Sequence, residues 1–229
     1  MLTFDHLIIF SFDPKKHQEL FSSVHQLNGS PGGKHDNWGT YNHLAFMRNS
    51  YIEWIGIDDL DKAAESDNPL IQHVYHASNN RAEGVIQFAL AVDNIEAYQS
   101  EFESKNIPYA GPFPGSRTKP DGSTLEWKML FPQYDVEGPP LPFLLEWSGE
   151  GNKPANPDDI NQIDFQEMTV YVDDVTAYKE QFIEIYNVEP TSSSNEKCEW
   201  ELSNGKLIVT HGQGLHARFG HIAFQSKIK

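Results

Sequence analysis

The sequence has few of the features that mark secreted, membrane-spanning or nucleic-acid-binding proteins. Cys198 is its one cysteine, so neither a disulfide within the chain nor a cysteine-built zinc site can form. It has no run of 18 apolar residues, and its first residues lack the basic start of a signal peptide. Basic residues are scarce, with 17 Lys and Arg against 33 Asp and Glu. The resulting formal net charge of -16 repels phosphate backbones and anionic membranes, so we expect a soluble cytoplasmic protein that binds neither.

Several common enzyme motifs are also missing. The chain has no Gly-x-Gly-x-x-Gly fingerprint, no phosphate-binding loop, no Gly-x-Ser-x-Gly elbow and no His-Glu-x-x-His. Aromatic residues, by contrast, are plentiful, with 5 Trp, 9 Tyr and 14 Phe. This aromatic content favours an aromatic-lined pocket.

Two apolar segments with the same Glu-Trp pair indicate an internal repeat. Residues 51–55 and 143–147 both read as strands, and a strand and a capped helix precede each of them. The predicted fold class is therefore α+β, built from tandem βαβββ modules. We place the first module at 1–57, an acidic connector with one helix at 58–83, the second module at 84–149, a linker at 150–162 and a partial third module at 163–229.

Four polar residues fall at matching places in the two modules. The first strands contain His6 and Gln87, and the fourth strands contain Glu53 and Glu146. A solitary buried carboxylate costs several kcal/mol unless a cation, a proton or hydrogen-bond donors offset that cost. One imidazole, one amide oxygen and two carboxylates suit an octahedral divalent ion. The pattern therefore predicts a metal site between the modules.

Simpler explanations stay open for each of these residues. A single histidine on an apolar strand is more often a hydrogen-bonded core residue than a ligand. Gln87 alone says little. The two glutamates could instead pair with Arg117, Lys128 or Arg218, or lie on a face that is not buried. They could also belong to a pocket that binds a ligand without a metal.

Other histidines have two interpretations each. His73 and His76 lie three apart on the predicted connector helix and could bind a metal, although two such histidines are usually surface residues. His35 could be a donor in a pocket or a solvated loop residue.

Three motifs together cover about residues 2–148. They are Phe4-Asp5-His6-Leu7, the segment from Gly32-Gly33-Lys34-His35 to Tyr51-Ile52-Glu53-Trp54, and the segment from Arg117-Thr118-Lys119-Pro120-Asp121-Gly122 to Phe143-Leu144-Leu145-Glu146-Trp147. In these motifs the chain resembles the vicinal oxygen chelate superfamily, which includes glyoxalase I, extradiol dioxygenases and antibiotic-binding resistance proteins. Within that superfamily it is most similar to the glyoxalase-like domain proteins.

This resemblance implies that each module curls into a half-barrel and that the two modules enclose a cleft. The glyoxalase I ligand positions fall on His6, Glu53, Gln87 and Glu146, and the implied cofactor is a divalent ion such as Zn, Ni, Fe, Mn or Co. The His35 and Arg117 motifs belong to the glyoxalase-like group rather than to glyoxalase I. The implied ligand-binding residues are His35, Asn42, Arg117 and Trp127.

The function that the resemblance implies is an isomerase or lyase step on a small oxygenated metabolite. Glu146 would be the catalytic base, with Glu53 as the other candidate. Extradiol dioxygenase activity is disfavoured, because the second module has no well-placed second histidine. The alternative is a metal-free binding or resistance protein that holds a drug or metabolite. In either case we expect a small-molecule partner, and any self-association would give a homodimer.

Overall fold

Strands and helices follow one another in three blocks along the chain. The computed structural model describes residues 1–118, 122, 124–149, 152–154 and 156–226. The first block contains β1 (Thr3–Phe10), α1 (Pro14–His25), β2 (Ser30–His35), β3 (Thr40–Phe46) and β4 (Tyr51–Ile57), and the connector contains α2 (Leu60–Glu65) and α3 (Pro69–Asn79). The second block contains β5 (Gly84–Ala91), α4 (Ile95–Lys105), β6 (Tyr109–Thr118), β7 (Thr124–Pro132) and β8 (Phe143–Trp147). The third contains β9 (Phe165–Val172), α5 (Val175–Tyr186), β10 (Ser192–Ser193), β11 (Lys197–Leu202), β12 (Gly205–His211), β13 (Gly214–Phe219) and β14 (Ile222–Gln225).

Some of the predicted features involve residues that the structure does not describe. Asp121 of the predicted Asp-Gly turn and residues 150, 151 and 155 of the predicted linker lie outside the described residues. Among the described residues, none of the helices has the length and apolarity that a membrane crossing needs.

The helix in each block begins and ends in the same way. Helices α1, α4 and α5 start after an Asx residue whose side chain accepts a hydrogen bond from a backbone N–H in the first turn. All three end at an amide residue in the left-handed region, with φ near 55°. These residues are Gln26, Asn106 and Asn187. The repeated capping explains why the chain turns back toward a strand at the same point in each block.

The first two blocks share one eight-stranded sheet in the order β2-β3-β4-β1-β5-β8-β7-β6. Strand β1 is parallel to β4, β5 is parallel to β8, and β1 and β5 pair antiparallel at the centre. The second block therefore repeats the first in reverse order across the centre of the sheet. The edge strands β2 and β6 come together, and Arg117 on β6 donates a hydrogen bond to the carbonyl oxygen of Gly32 on β2.

Strand β6 differs from the sequence prediction. Pro112 and Pro114 suggest breaks in the chain, but both lie within a ten-residue strand. Proline is tolerated there because β6 is at the edge of the sheet and its register shifts between Ala110 and Phe113.

The third block has more strands than the sequence pattern predicts. Its first four strands have the order β10-β11-β12-β9, and β12 is parallel to β9, as β4 is to β1. It thus follows the βαβββ order, with β10 reduced to two residues. Near Phe219–Phe224 the chain forms the β13–β14 hairpin, which turns at Gly220. This hairpin lies beside β9, where β5 lies beside β1 in the first sheet.

Helix α3 of the connector lies against the inner, concave face of the eight-stranded sheet. Leu70, Val74 and Ala77 pack in one apolar cluster with residues of β1 and β5. His73 is on the same stripe of the helix and is 8% exposed, and its Nδ1 lies 2.9 Å from the hydroxyl oxygen of Tyr134. The interpretation of His73 as a surface residue is therefore wrong, because helical spacing puts position 73 beside positions 70, 74 and 77.

A single apolar core joins the outer face of the eight-stranded sheet to the third block. Phe4 on β1 stacks on Phe165 on β9 with ring centroids 3.7 Å apart. Beside this stack the Asn204 side chain accepts a hydrogen bond from the backbone N–H of Phe4 and donates to the carbonyl oxygens of Phe4 and Asn49. The third block is therefore fixed to β1 by packing and by backbone recognition.

We predict that Phe165→Ala lowers the free energy of unfolding by about 3–5 kcal/mol, because it leaves a cavity between two sheets in one core. Chemical denaturation measures the change. Phe12→Ala is the matched control, since Phe12 is 54% exposed and its truncation should have little effect. Similar losses for the two variants would contradict the assignment of Phe165 to a shared core.

Candidate functional site

Glu53 points into the space that the sheet encloses. On β4 the side chains of Tyr51, Glu53 and Ile55 face this space, whereas Ile52 and Trp54 belong to the outer core. Glu53 is 6% exposed. The alternation of a strand therefore places one carboxylate in a nearly dry environment.

Glu146 points the other way, although it precedes a tryptophan just as Glu53 does. On β8 the inward residues are Phe143, Leu145 and Trp147. The Glu146 side chain instead accepts a hydrogen bond of 2.6 Å from the backbone N–H of Ile95, the first residue of α4. In the first Glu-Trp pair the glutamate faces the cavity, and in the second pair the tryptophan does. A shift of one residue along a strand moves a side chain to the opposite face of the sheet.

Gln87 is fully buried, and both ends of its side-chain amide are hydrogen-bonded to the backbone. The amide nitrogen donates to the carbonyl oxygen of Leu141 at 3.0 Å, and the amide oxygen accepts from the N–H of Phe88 at 2.9 Å. Of the four predicted metal ligands, the structure brings His6 and Glu53 together, and it places Gln87 and Glu146 elsewhere. The expected convergence of all four does not occur, because hydrogen bonds to the backbone hold the other two away.

A shift in strand register sets the positions of Asp5 and His6. The pairing of β1 with β5 shifts between Phe4 and His6, so Phe4 packs in the outer core while His6 lines the inner space. His6 Nδ1 lies 2.6 Å from Asp5 Oδ1, and His6 Nε2 lies 3.4 Å from Glu53 Oε2. His6 also stacks on Tyr51, with ring centroids 4.3 Å apart.

We call Asp5, His6 and Glu53 the His6 array. It carries a buried positive charge between two carboxylates. Burial alone would lower the pKa of His6, but hydrogen bonds and charges from Asp5 and Glu53 raise it to about 9. Burial alone would raise the pKa of Glu53, but the hydrogen bond and charge of His6 lower it below its ordinary value. His6 is therefore protonated and Glu53 ionised at neutral pH.

Both ends of the array are hydrogen-bonded further. The Asn42 amide nitrogen donates to Glu53 Oε1, and its oxygen accepts from the N–H of Gly33 at 2.9 Å. At the other end Trp147 Nε1 donates to Asp5 Oδ2 at 2.8 Å, so both modules contribute. Gly32 is required here, because a Cβ at that position would lie 2.0 Å from the Asn42 oxygen.

His35, Arg117 and Trp127 lie together beside these residues. The His35 and Trp127 rings pack edge to face, and His35 Nδ1 lies 3.0 Å from Thr40 Oγ1. Burial lowers the pKa of His35, and the charge of Arg117 lowers it further against the opposing effect of Glu53. Arg117 donates one hydrogen bond to the Gly32 carbonyl and another of 2.7 Å to Asn152 Oδ1.

These groups surround one small cavity of about 50 Å³. Its other walls are largely aromatic, and helix α3 closes one end with Asn68, Leu70 and Ile71. The predicted residues His6, His35, Asn42, Glu53, Arg117 and Trp127 all line it. Four further residues of the site were not predicted from the sequence: Trp147, Asn152, Asp5 and Asn68. Asp5 and Trp147 had a signal, as the neighbours of His6 and Glu146 in the motifs.

Comparison with known proteins agrees with this architecture. The family model described as a glyoxalase-like domain matches residues 4–186. The chain belongs to the glyoxalase-like domain family. Its paired βαβββ modules form the fold of the vicinal oxygen chelate superfamily.

Solved structures align with all or part of this chain. A hypothetical protein from Staphylococcus aureus aligns with a TM-score of 0.77 at 17% identity, over 93% of this chain and 87% of that chain. Methylmalonyl-CoA epimerases from Mycobacterium tuberculosis and Streptomyces coelicolor align with a TM-score of 0.48 at 16% identity, over 65% of this chain and 89% and 100% of theirs. No curated protein sequence matches the chain.

The side chains of this family member do not fit the four-ligand metal set of glyoxalase I. Nε2 of His6 and Oε2 of Glu53 approach each other, but both nitrogens of His6 already lie near carboxylates. In the part of the chain that the structure describes, no group of three or more His, Cys, Asp or Glu residues could hold a metal ion. A stable divalent site usually needs at least three protein ligands.

We predict that protein purified without a histidine tag contains well under one equivalent of Zn, Ni, Fe, Mn or Co, because only two of the expected ligands converge. Elemental analysis measures the content, with Glu53→Gln as the comparison. If the protein contains one equivalent of metal and Glu53→Gln loses it, the prediction is wrong and a metal site that includes Glu53 is supported.

We predict that the free energy of unfolding falls by up to about 3 kcal/mol between pH 6.5 and pH 9.5. His6 has an ordinary pKa of 6.5 in the unfolded chain and about 9 in the folded one, so the folded state binds its proton more tightly. This stabilisation is complete below pH 6.5 and is lost as the pH rises through 9. Urea denaturation at a series of pH values measures it.

His6→Gln should remove most of this pH dependence. His73→Gln is the matched control, because burial lowers the pKa of His73 to about 4 and His73 stays neutral throughout the interval. The same alkaline slope in His6→Gln and in the unmodified protein would show that His6 is not the titrating group.

Proposed function

We propose that the cavity binds a small oxygenated metabolite and that Glu53 is its main polar recognition group. The walls of the cavity combine aromatic rings with a few convergent polar groups, which is the composition of small-molecule sites. Membership of the glyoxalase-like domain family supports a small-molecule role without specifying the ligand.

The observation that carries this proposal is the ionised Glu53 in an apolar surrounding. Its two oxygens receive hydrogen bonds or charge from Asn42 and His6, and the carboxylate still lines the cavity. A buried carboxylate can accept more than two hydrogen bonds. A ligand hydroxyl or amine that reaches Glu53 would complete its set of donors.

Arg117 supports an acidic or strongly polar group on the same ligand. Its guanidinium donates a hydrogen bond from β6 to the carbonyl oxygen of Gly32 on β2, and it lies at the wall of the cavity. A guanidinium has five N–H donors, and the bonds to Gly32 and Asn152 account for two of them. The remaining donors suit a carboxylate or phosphate at the cavity mouth.

A second candidate function is an isomerase or lyase reaction with Glu53 as the base. The protonated His6 beside Glu53 favours it, because the pair can hold and return a proton next to a bound substrate. We rank binding first, since the lowered pKa of Glu53 makes it a weak base. Glu146 is not proposed as the base, because it lies at the start of α4 on the opposite face.

We predict that Glu53→Gln weakens binding of hydroxylated ligands about tenfold or more, which corresponds to the loss of one charge-assisted hydrogen bond. The assay is ligand-observed NMR and calorimetry with a panel of small phenols, hydroxy-ketones and thiol-aldehyde adducts. Glu146→Gln is the matched control, and it should leave affinity unchanged while lowering stability by about 0.5–1 kcal/mol at the α4 terminus.

The same panel separates the two candidate functions. Turnover that Glu53→Gln abolishes, with affinity kept within tenfold, would establish the reaction. Ligands that bind and are recovered unaltered would establish binding alone. Affinity that depends on Glu146 and not on Glu53 would contradict both.

A further inference from the structure

Asn68 has a hydrogen-bond donor with no partner inside the cavity wall. It is the N-cap of α3, and its side-chain oxygen accepts from the backbone N–H of Leu70 at 2.9 Å. The residue is completely buried. Its amide nitrogen, Nδ2, is the one buried side-chain nitrogen or oxygen among the described residues that lacks a partner.

The orientation of this amide is fixed by the helix. The backbone N–H of Leu70 can only donate, so the atom that it contacts must be the amide oxygen. The NH₂ group is therefore on the other side of the amide. Leaving such a buried donor unpaired costs free energy, and buried polar groups in proteins are rarely left so without a reason.

The residue that carries the unpaired donor lines the same cavity as Glu53. Asn68, Leu70 and Ile71 line this cavity from the first turn of α3. The 11-residue helix places the positive end of its dipole there, and this end favours an electron-rich group. Donor and dipole thus favour the same type of atom.

We propose that Asn68 is a specificity-determining residue that donates a hydrogen bond to a carbonyl-type oxygen of the ligand. This inference rests on the proposed binding function and specifies its ligand class. The ligand carries a hydroxyl or amine for Glu53 and a carbonyl or carboxylate oxygen for Asn68, joined by a small apolar body suited to the aromatic walls.

Such a site discriminates by leaving a buried group unpaired when the wrong ligand binds. An analogue without the carbonyl oxygen fills the same volume but leaves the Asn68 NH₂ without a partner. Sites built to hydrogen-bond a polar group reject analogues that lack it much more strongly than apolar pockets reject a missing methylene. We therefore expect at least a tenfold preference for the carbonyl compound.

The probes are 4-hydroxyacetophenone and 4-ethylphenol, which have similar shape and share the phenol but differ in the carbonyl oxygen. A third probe, 4-hydroxybenzoate, tests whether the preferred oxygen belongs to a ketone or a carboxylate. Dissociation constants are measured by calorimetry or by NMR titration for the full chain and its variants. The unmodified protein should bind at least one of the two oxygen-bearing probes tenfold more tightly than 4-ethylphenol.

Asn68→Ser should reduce this preference to less than threefold without changing affinity for 4-ethylphenol. Serine caps a helix about as well as asparagine but has no NH₂ group to offer the cavity. Asn94→Ser is the matched control, because Asn94 caps α4 in the same way and is exposed. It should leave the preference intact and change the unfolding temperature about as much as Asn68→Ser does.

Asn68→Asp gives a second test that does not depend on the serine variant folding well. It keeps the cap oxygen and replaces the donor by an acceptor, so 4-hydroxybenzoate should lose the most affinity. An unchanged preference in both Asn68 variants would overturn the inference, and so would equal binding of the three probes by the unmodified protein; either result leaves the binding function standing. If none of the probes binds at millimolar concentration, the binding function and the inference fail together for phenolic ligands.

Discussion

The histidine held between Asp5 and Glu53 is the interaction on which the rest of the site depends. Two carboxylates could not be buried this close together without a positive charge between them, because each would lose its hydration. His6 supplies that charge, and Asn42 and Trp147 bind the outer oxygens of the pair. Gly32 leaves room for the Asn42 side chain, and the N–H of Gly33 orients it. The edge strand β2 therefore helps to position a residue that hydrogen-bonds to Glu53. The array thus joins the edge of the first module to the last strand of the second.

The two modules repeat each other in topology but not in chemistry. The first module supplies His6, Asn42 and Glu53, and the second supplies Arg117 with the aromatic residues Trp127, Phe143 and Trp147. The modules differ because β4 directs Glu53 into the cavity, whereas β8 directs Glu146 toward the first residue of α4. The buried carboxylate that the first module contributes to the cavity therefore has no counterpart from β8.

The sequence predicts the strands, the helices and the pairing of modules better than it predicts the site, and the reason is physical. Alternation shows which residues share a face of a strand, but the facing itself depends on partners far away in the chain. Glu53 and Glu146 have the same local sequence and opposite orientations for this reason. The register shift before His6 could not be predicted from residues 2–10, because it arises in pairing with β5. Asn68 could not be predicted as a site residue, since its place in the cavity wall depends on where α3 packs. In the third block β10 has only two residues, both exposed, so it has no alternation of apolar and polar residues by which a strand could be predicted.

The third block shows that the cavity comes from the pairing of modules rather than from the βαβββ unit itself. On its sheet, the face away from α5 also carries charged residues, but they form pairs across neighbouring strands. Arg218 lies 3.0 Å from Glu167, Lys206 lies 3.2 Å from Glu201, and all four side chains are partly or largely exposed. With solvent available, each charge needs only a neighbour of opposite sign and contributes little to stability. In the first sheet the curvature of eight strands, with α3 inside it, excludes water from the corresponding face. There a carboxylate needs a fixed, fully bonded environment, and meeting that need produces the array around His6.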